Sequence, residues 1–171
     1  ALDAVVVLLP YDDVCRNVVH ALKYHGFHSI GPVLGEMMAE KMLRSRSFDT
    51  PPLIVPVPLH ERKLAIRGYN QAERLAKGMA EYTGYDLKTN LLKKNRHTGT
   101  QTALDEQRRR DNVKGVFRCN GVKALKSRPV VLVDDVMTTG STLSECARTL
   151  KRAGGADITA AVVATPDMGP D

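Results

Sequence analysis

Val130-Val131-Leu132-Val133-Asp134-Asp135-Val136-Met137-Thr138-Thr139-Gly140-Ser141-Thr142 is the stretch that decides the fold. Val130–Val133 is a continuous apolar, β-favouring run, which predicts a strand buried on both faces. Two carboxylates follow it. Next comes a turn in which Thr138, Thr139, Ser141 and Thr142 carry hydroxyls around Gly140. Leu143, Cys146, Ala147 and Leu150 then share one helical face, predicting a helix over 140–153 closed by Gly154-Gly155. Ile158–Ala164 is a second buried strand. Strand, helix and strand of this size form a βαβ unit, so the fold class is α/β with a parallel sheet. Ligands of such sheets bind beyond the carboxyl ends of the strands, where both acids stand.

The turn has the chemistry of a phosphate cradle. Gly140 lets backbone approach closely, the hydroxyls donate, and the following helix presents N–H groups and the positive end of its dipole. The two carboxylates cannot bind the same phosphate. They suit a sugar diol, a divalent cation or both, and a phosphorylated ribose satisfies all of these demands. A helix cap alone would need one hydroxyl, not four with two acids. Rival motifs fail on their surroundings. A receiver domain needs about 100 residues after its acids, and only 36 follow Asp135 here. The chain has neither Gly-x-x-x-x-Gly-Lys-Ser/Thr nor Gly-x-Gly-x-x-Gly, which removes the P-loop and dinucleotide readings.

Working outward, 171 residues with 43% hydrophobic and 26% charged predict one globular domain. No apolar run approaches a membrane span, and no signal-peptide pattern precedes the first strand. Cys15, Cys119 and Cys146 are too far apart for a Cys-x-x-Cys metal pair and suit reduced thiols, with Cys15 and Cys146 in the core. These features predict a cytoplasmic protein. The net charge of +6 is concentrated between Lys88 and Lys114, where eight basic residues face three acidic ones. A patch of that kind points to an anionic partner, either nucleic acid or a phosphorylated metabolite.

Val5–Leu9 reads as a strand, followed by a helix capped by Asp12 or Asp13. Its apolar face takes Val14, Cys15, Val18, Val19 and Leu22, and Gly26 ends it. A second helix over 32–43 turns Leu34, Met37, Met38 and Met42 inward. Leu53–Val57 is a buried strand, His60–Tyr69 a basic loop, and from Asn70 a helix buries Ala72, Leu75, Ala76 and Met79 before stopping near Gly84. Lys93–Asn112 has no clean period and is too long for a passive connector. A short strand is predicted near Val116–Arg118.

With these residues in place, Val133–Thr142 resembles the phosphoribosyl-pyrophosphate (PRPP) motif of type I phosphoribosyltransferases. More narrowly, the chain resembles the ComF family of competence and GntX-like proteins. The supporting segments are Ala21-Leu22-Lys23-Tyr24-His25-Gly26, Val55-Pro56-Val57-Pro58-Leu59-His60, Arg67-Gly68-Tyr69-Asn70-Gln71-Ala72-Glu73, and Gln101 followed by Arg109 and Asn112. Many ComF proteins carry a cysteine-rich, zinc-ribbon-like segment ahead of the point where this chain starts.

The resemblance implies a type I phosphoribosyltransferase-like domain over 1–171: a five-stranded parallel sheet flanked by helices, with a small hood mainly within 1–50 and a flexible basic loop at about 93–112. It implies that Asp134 and Asp135 hold the ribose hydroxyls, with Val136, Met137, Thr138, Thr139, Gly140, Ser141 and Thr142 completing the PRPP site around the 5′-phosphate. Pro58, Leu59, His60, Arg62, Lys63 and Arg67 take the pyrophosphate-loop position, and Lys94–Arg110 takes that of the closing loop. Asp134, Asp135 and Arg96 are the catalytic candidates. Mg²⁺ is the implied cofactor, held at Asp134 and Asp135 directly or through water. The implied activity is phosphoribosyl transfer to a nitrogen nucleophile, with a link to competence and DNA uptake. The alternative is a non-catalytic PRPP-binding or nucleotide-binding protein that contacts DNA or DNA-uptake proteins. A homodimer is compatible with either reading.

Overall fold

A computed structural model describes residues 1–24, 29–94, 115–121 and 125–166. In chain order the elements are β1 (Ala4–Val7), α1 (Asp13–Tyr24), α2 (Ile30–Ser45), β2 (Leu53–Pro56), α3 (Glu61–Arg67), α4 (Gln71–Thr83), β3 (Leu92–Lys94), β4 (Phe117–Cys119), β5 (Val130–Val136), α5 (Ser141–Arg152) and β6 (Ile158–Ala164). The main sheet is parallel, in the order β1-β6-β5-β2, and β3 pairs with β4 as a separate antiparallel ribbon. The implied fifth strand is reduced to a single parallel bridge, Ile54 to Leu87, closed by Ile54 N–H to the Asp86 carbonyl and Lys88 N–H to the Ile54 carbonyl. Asp86 pairs sideways with Arg128 at 2.9 Å, so the outer edge of β2 is covered without a full ladder.

Period-two alternation divides the core between the two sheet faces. Val131 and Val133 of β5 join Cys15, Leu22, Met38, Leu75 and Met79 under α1, α2 and α4. Val130 and Leu132 join Leu92, Phe117, Leu143, Cys146 and Leu150 under α5 and the ribbon. On the first face α2 and α4 cross nearly in backbone contact. A Cβ at Gly35 would lie 2.1 Å from the Leu75 carbonyl oxygen, and one at Gly78 would lie 2.1 Å from that of Pro32. Only glycine allows these helices to approach so closely.

Several boundaries differ from the sequence reading. Val14 is 69% exposed and Met37 is 42% exposed. The inward stripes are the narrower sets Cys15, Val19, Leu22 and Leu34, Met38, Met42, spaced by whole helical turns. The predicted basic loop over His60–Tyr69 is largely the helix α3. The His60 imidazole accepts the Arg62 N–H at 3.2 Å, and Gly68, at φ +82°, closes the other end. None of the residues of α3 is buried, so capping and helix-favouring side chains sustain it rather than an apolar face. The strand after Pro129 extends to Val136 and carries both acids within its ladder.

Candidate functional site

All four main strands end on the same edge of the sheet, and β5 and β2 are neighbours there. Val57 N–H bonds the Val133 carbonyl at 2.9 Å, which brings Pro58–His60 beside the acids at the end of β5. The hydroxyl turn follows. Gly140 adopts φ +67°, a left-handed conformation that side chains disfavour. A Cβ there would meet only Met137, at 3.6 Å, so this glycine serves conformation rather than space. No side chain caps α5. Thr139 Oγ1 and Ser141 Oγ instead bond each other at 2.8 Å. The hydroxyls therefore line the turn and leave the helix start to an incoming anion. Asp134, Val136, Met137 and residues 138–143 together line one cleft of about 240 Å³.

The acids are not equivalent. Asp135 is buried at 5% exposure, beneath α1 and α4. Its Oδ2 accepts Lys23 Nζ at 2.7 Å and lies 3.5 Å from Gln71 Nε2, while its Oδ1 accepts the Val136 N–H at 2.8 Å. Gln71 Oε1 in turn accepts from the Arg67 guanidinium. Asp134 belongs to the cleft and accepts the Asp135 N–H at 2.9 Å. Desolvation, then the negative charge of Asp135, pushes its carboxyl well above the ordinary carboxylate range, against the opposing pull of Lys23.

On the α5 side, Lys94 ends β3 with Nζ 5.6 Å from the centre of the Phe117 ring. Desolvation and then the like charge of Lys63 depress its proton affinity, while Cys146 and Asp134 work the other way. Lys63 and Lys94, from separate elements, thus face one region beside Asp134. Cys146 is buried there, and desolvation followed by the charge of Asp134 keeps its thiol neutral, so it is packing. Gly115, just before β4, donates its N–H to the buried Glu145 of α5 at 2.8 Å. The ribbon is therefore anchored to the helix that opens at the cradle.

Residues 38–169 match the model of the phosphoribosyl transferase domain. The chain belongs to this family. It is 31% identical to competence protein F of Haemophilus influenzae, over 91% of this chain and 70% of that protein. It is also 31% identical to the DNA utilization protein YhgH of Escherichia coli K12, over 90% of this chain and 68% of that one. The ComF resemblance therefore holds. A solved glutamine PRPP amidotransferase from B. subtilis superposes on 84% of this phosphoribosyl transferase domain with a TM-score of 0.56 at 24% identity. The superposed region spans 28% of that much longer chain, and the likeness carries the fold.

The structure gathers Asp134, the hydroxyl turn, Pro58–His60, Lys63 and Lys94 at one end of the sheet. Arg96 and the rest of the basic segment to Arg110 lie outside the described residues. Sequence reasoning assigned no role to Lys23, Asn70 or Gln71. Asn70 both caps α4, accepting the Ala72 N–H at 3.1 Å, and ties it to β2 by donating to the Val57 carbonyl at 3.0 Å. Lys23 looked like an ordinary cation in a last helical turn.

Proposed function

We propose that this phosphoribosyl transferase domain binds PRPP with Mg²⁺ and transfers the phosphoribosyl group to a nitrogen nucleophile. One observation carries the reading: a carboxylate and a hydroxyl turn line a single cleft at the carboxyl end of β5. The turn suits a phosphate monoester, and the acid beside it suits the sugar that bears the phosphate. The PRPP named in the amidotransferase's title and the family membership support the same ligand.

The donor set fits a magnesium ion carried in by the substrate. Among the described residues no group of three or more His, Cys, Asp or Glu could hold a metal, and much of Asp135 is taken by Lys23 and Gln71. Mg²⁺ is commonly bound through one or two carboxylates together with substrate phosphates and waters. Asp134, with Asp135 behind it, would hold such an ion directly or through water. When bound, Mg²⁺ neutralises charge on the departing pyrophosphate.

The remaining contributions come from the chain. Thr139, Ser141 and the start of α5 grip the 5′-phosphate and fix the ribose in place. Asp134 orients the ring hydroxyls and favours the positive charge that develops on the sugar. Lys63 and Lys94 draw the pyrophosphate away from it. The acceptor is a base or ammonia. Pyrophosphate release from PRPP and Mg²⁺, assayed with ammonia and a panel of bases, tests the reading. The wild type releases pyrophosphate with at least one acceptor and Asp134→Asn does not; equal release by both overturns the assignment.

A second reading is favoured by the words "DNA utilization" and "competence" in the relatives' names. Here the same site binds PRPP or a nucleotide without turnover, and the basic surface contacts DNA. DNA binding that weakens steeply with salt supports this reading, and a shallow dependence counts against phosphate contacts.

A further inference from the structure

The neighbouring acids of β5 differ in what holds them. Asp135 is met by donors from three elements: Val136 N–H of β5 at 2.8 Å, Lys23 Nζ of α1 at 2.7 Å and Gln71 Nε2 of α4 at 3.5 Å. Gln71 is itself held by Arg67 of α3. Asp134 instead lines the cleft with the hydroxyl turn, to which Asp135 does not contribute.

Lys23 is also held in place. The carbonyl of the preceding residue, Leu22, accepts the Tyr69 hydroxyl, and the Leu22 side chain is 1% exposed in the core. The last turn of α1 is thus fastened at Leu22 by the segment leading into α4 and at Lys23 by β5. The pair is not a solvated surface contact. The carboxylate is 7% exposed and the lysine 26%, so removing the cation leaves a buried charge uncompensated.

We infer that the two acids divide the work: Asp134 is the carboxylate that meets a sugar hydroxyl, and Asp135 is a positioning residue, clamped by Lys23 and Gln71, that fixes the end of β5 and thereby the aim of Asp134. The part given to Asp134 rests on the ribose-phosphate reading above; the clamp does not. The Asp135 N–H bonded to Asp134 Oδ1 at 2.9 Å is the direct link between the two. A lysine far away in sequence, outside the motif that defines the site, becomes a determinant of ligand affinity.

The test uses ribose 5-phosphate as the calorimetric probe, with thermal melting of the same proteins. Titrations are run well below each midpoint, so that only folded protein is read. Lys23→Met lowers the melting midpoint and weakens ribose 5-phosphate about tenfold, and Lys23→Arg restores most of both. The double variant Lys23→Met/Asp135→Asn is no worse than Lys23→Met alone, because both changes remove one interaction. Asp134→Asn abolishes binding without lowering the midpoint. Should Lys23→Met fail to fold, Lys23→Gln, which keeps a donor and loses the charge, gives the same readouts. Unchanged affinity in folded Lys23→Met makes the lysine merely structural and overturns the proposal. So does an Asp135→Asn protein that melts normally yet loses binding as fully as Asp134→Asn. A wild type that does not bind ribose 5-phosphate overturns the ribose-phosphate reading instead. The clamp is then still decided by melting, since additive losses in the double variant contradict it.

Discussion

The two faces of the β-sheet use the same residue types for opposite purposes. Under α1, α2 and α4, glycine serves approach: Gly35 and Gly78 let backbone meet backbone. Under α5 and the ribbon, Gly140 serves conformation, with open space where a Cβ would point but φ at +67°. The lysines divide likewise. Lys23 is spent on an internal carboxylate, whereas Lys94 stands beside Lys63, a like charge. Such a pair of cations lacks mutual support and suits an anionic ligand. One face is thus built for rigidity and the other for a ligand, and the acids of β5 stand where they meet.

Substitutions can break this contrast, and the largest effect belongs to the rigid face. Gly35→Ala drives a methyl into the Leu75 carbonyl and is expected to cost about 3 kcal/mol of stability. Gly140→Ala is expected to cost about 1 kcal/mol while sharply weakening phosphate binding. Melting curves with ribose 5-phosphate titrations check both, and equal stability losses would erase the distinction.

Asp134→Asn comes next, with a loss of about 100-fold in ligand affinity and a gain in stability. The sign follows from the raised carboxyl. The folded state holds this proton more tightly than the unfolded one, so its stabilising contribution is complete below the ordinary carboxylate range and is lost as pH rises towards the raised value. The variant should therefore melt higher than wild type at neutral pH, with the difference vanishing in acid. A difference that grows in acid would contradict the burial of this group.

Thr139→Val should weaken the phosphate ligand about tenfold, the worth of one hydrogen bond to a charged group, with little change in melting. Asn70→Ala removes a cap worth about 1 kcal/mol and lowers the midpoint modestly. The smallest effect is expected from Arg44→Ala. It breaks an exposed helical pair with Glu40 and should shift stability by less than about 0.5 kcal/mol.

The sheet and its cradle were legible because their signals are local. Four apolar residues, two acids and a hydroxyl turn lie consecutively, and Ile158–Ala164 has the bounds that its apolar run predicts. The basic segment before Tyr69 misled because a short exposed helix has no apolar period. Its evidence lies in a His60 cap and a closing glycine. The fifth strand shrank to one bridge because nothing in an apolar count reports how many residues find ladder partners. The inequality of Asp134 and Asp135 was not legible at all. It depends on α1 docking Lys23 against the far end of β5, a contact between residues 112 positions apart, and no spacing rule reaches across that distance.

Calorimetric titration of the intact chain with PRPP, with and without Mg²⁺ and beside Asp134→Asn, tests the central claim most directly. The account predicts Mg²⁺-dependent binding to the wild type that the variant loses while remaining folded. Absence of binding to the wild type, or equal binding by the variant, would contradict it.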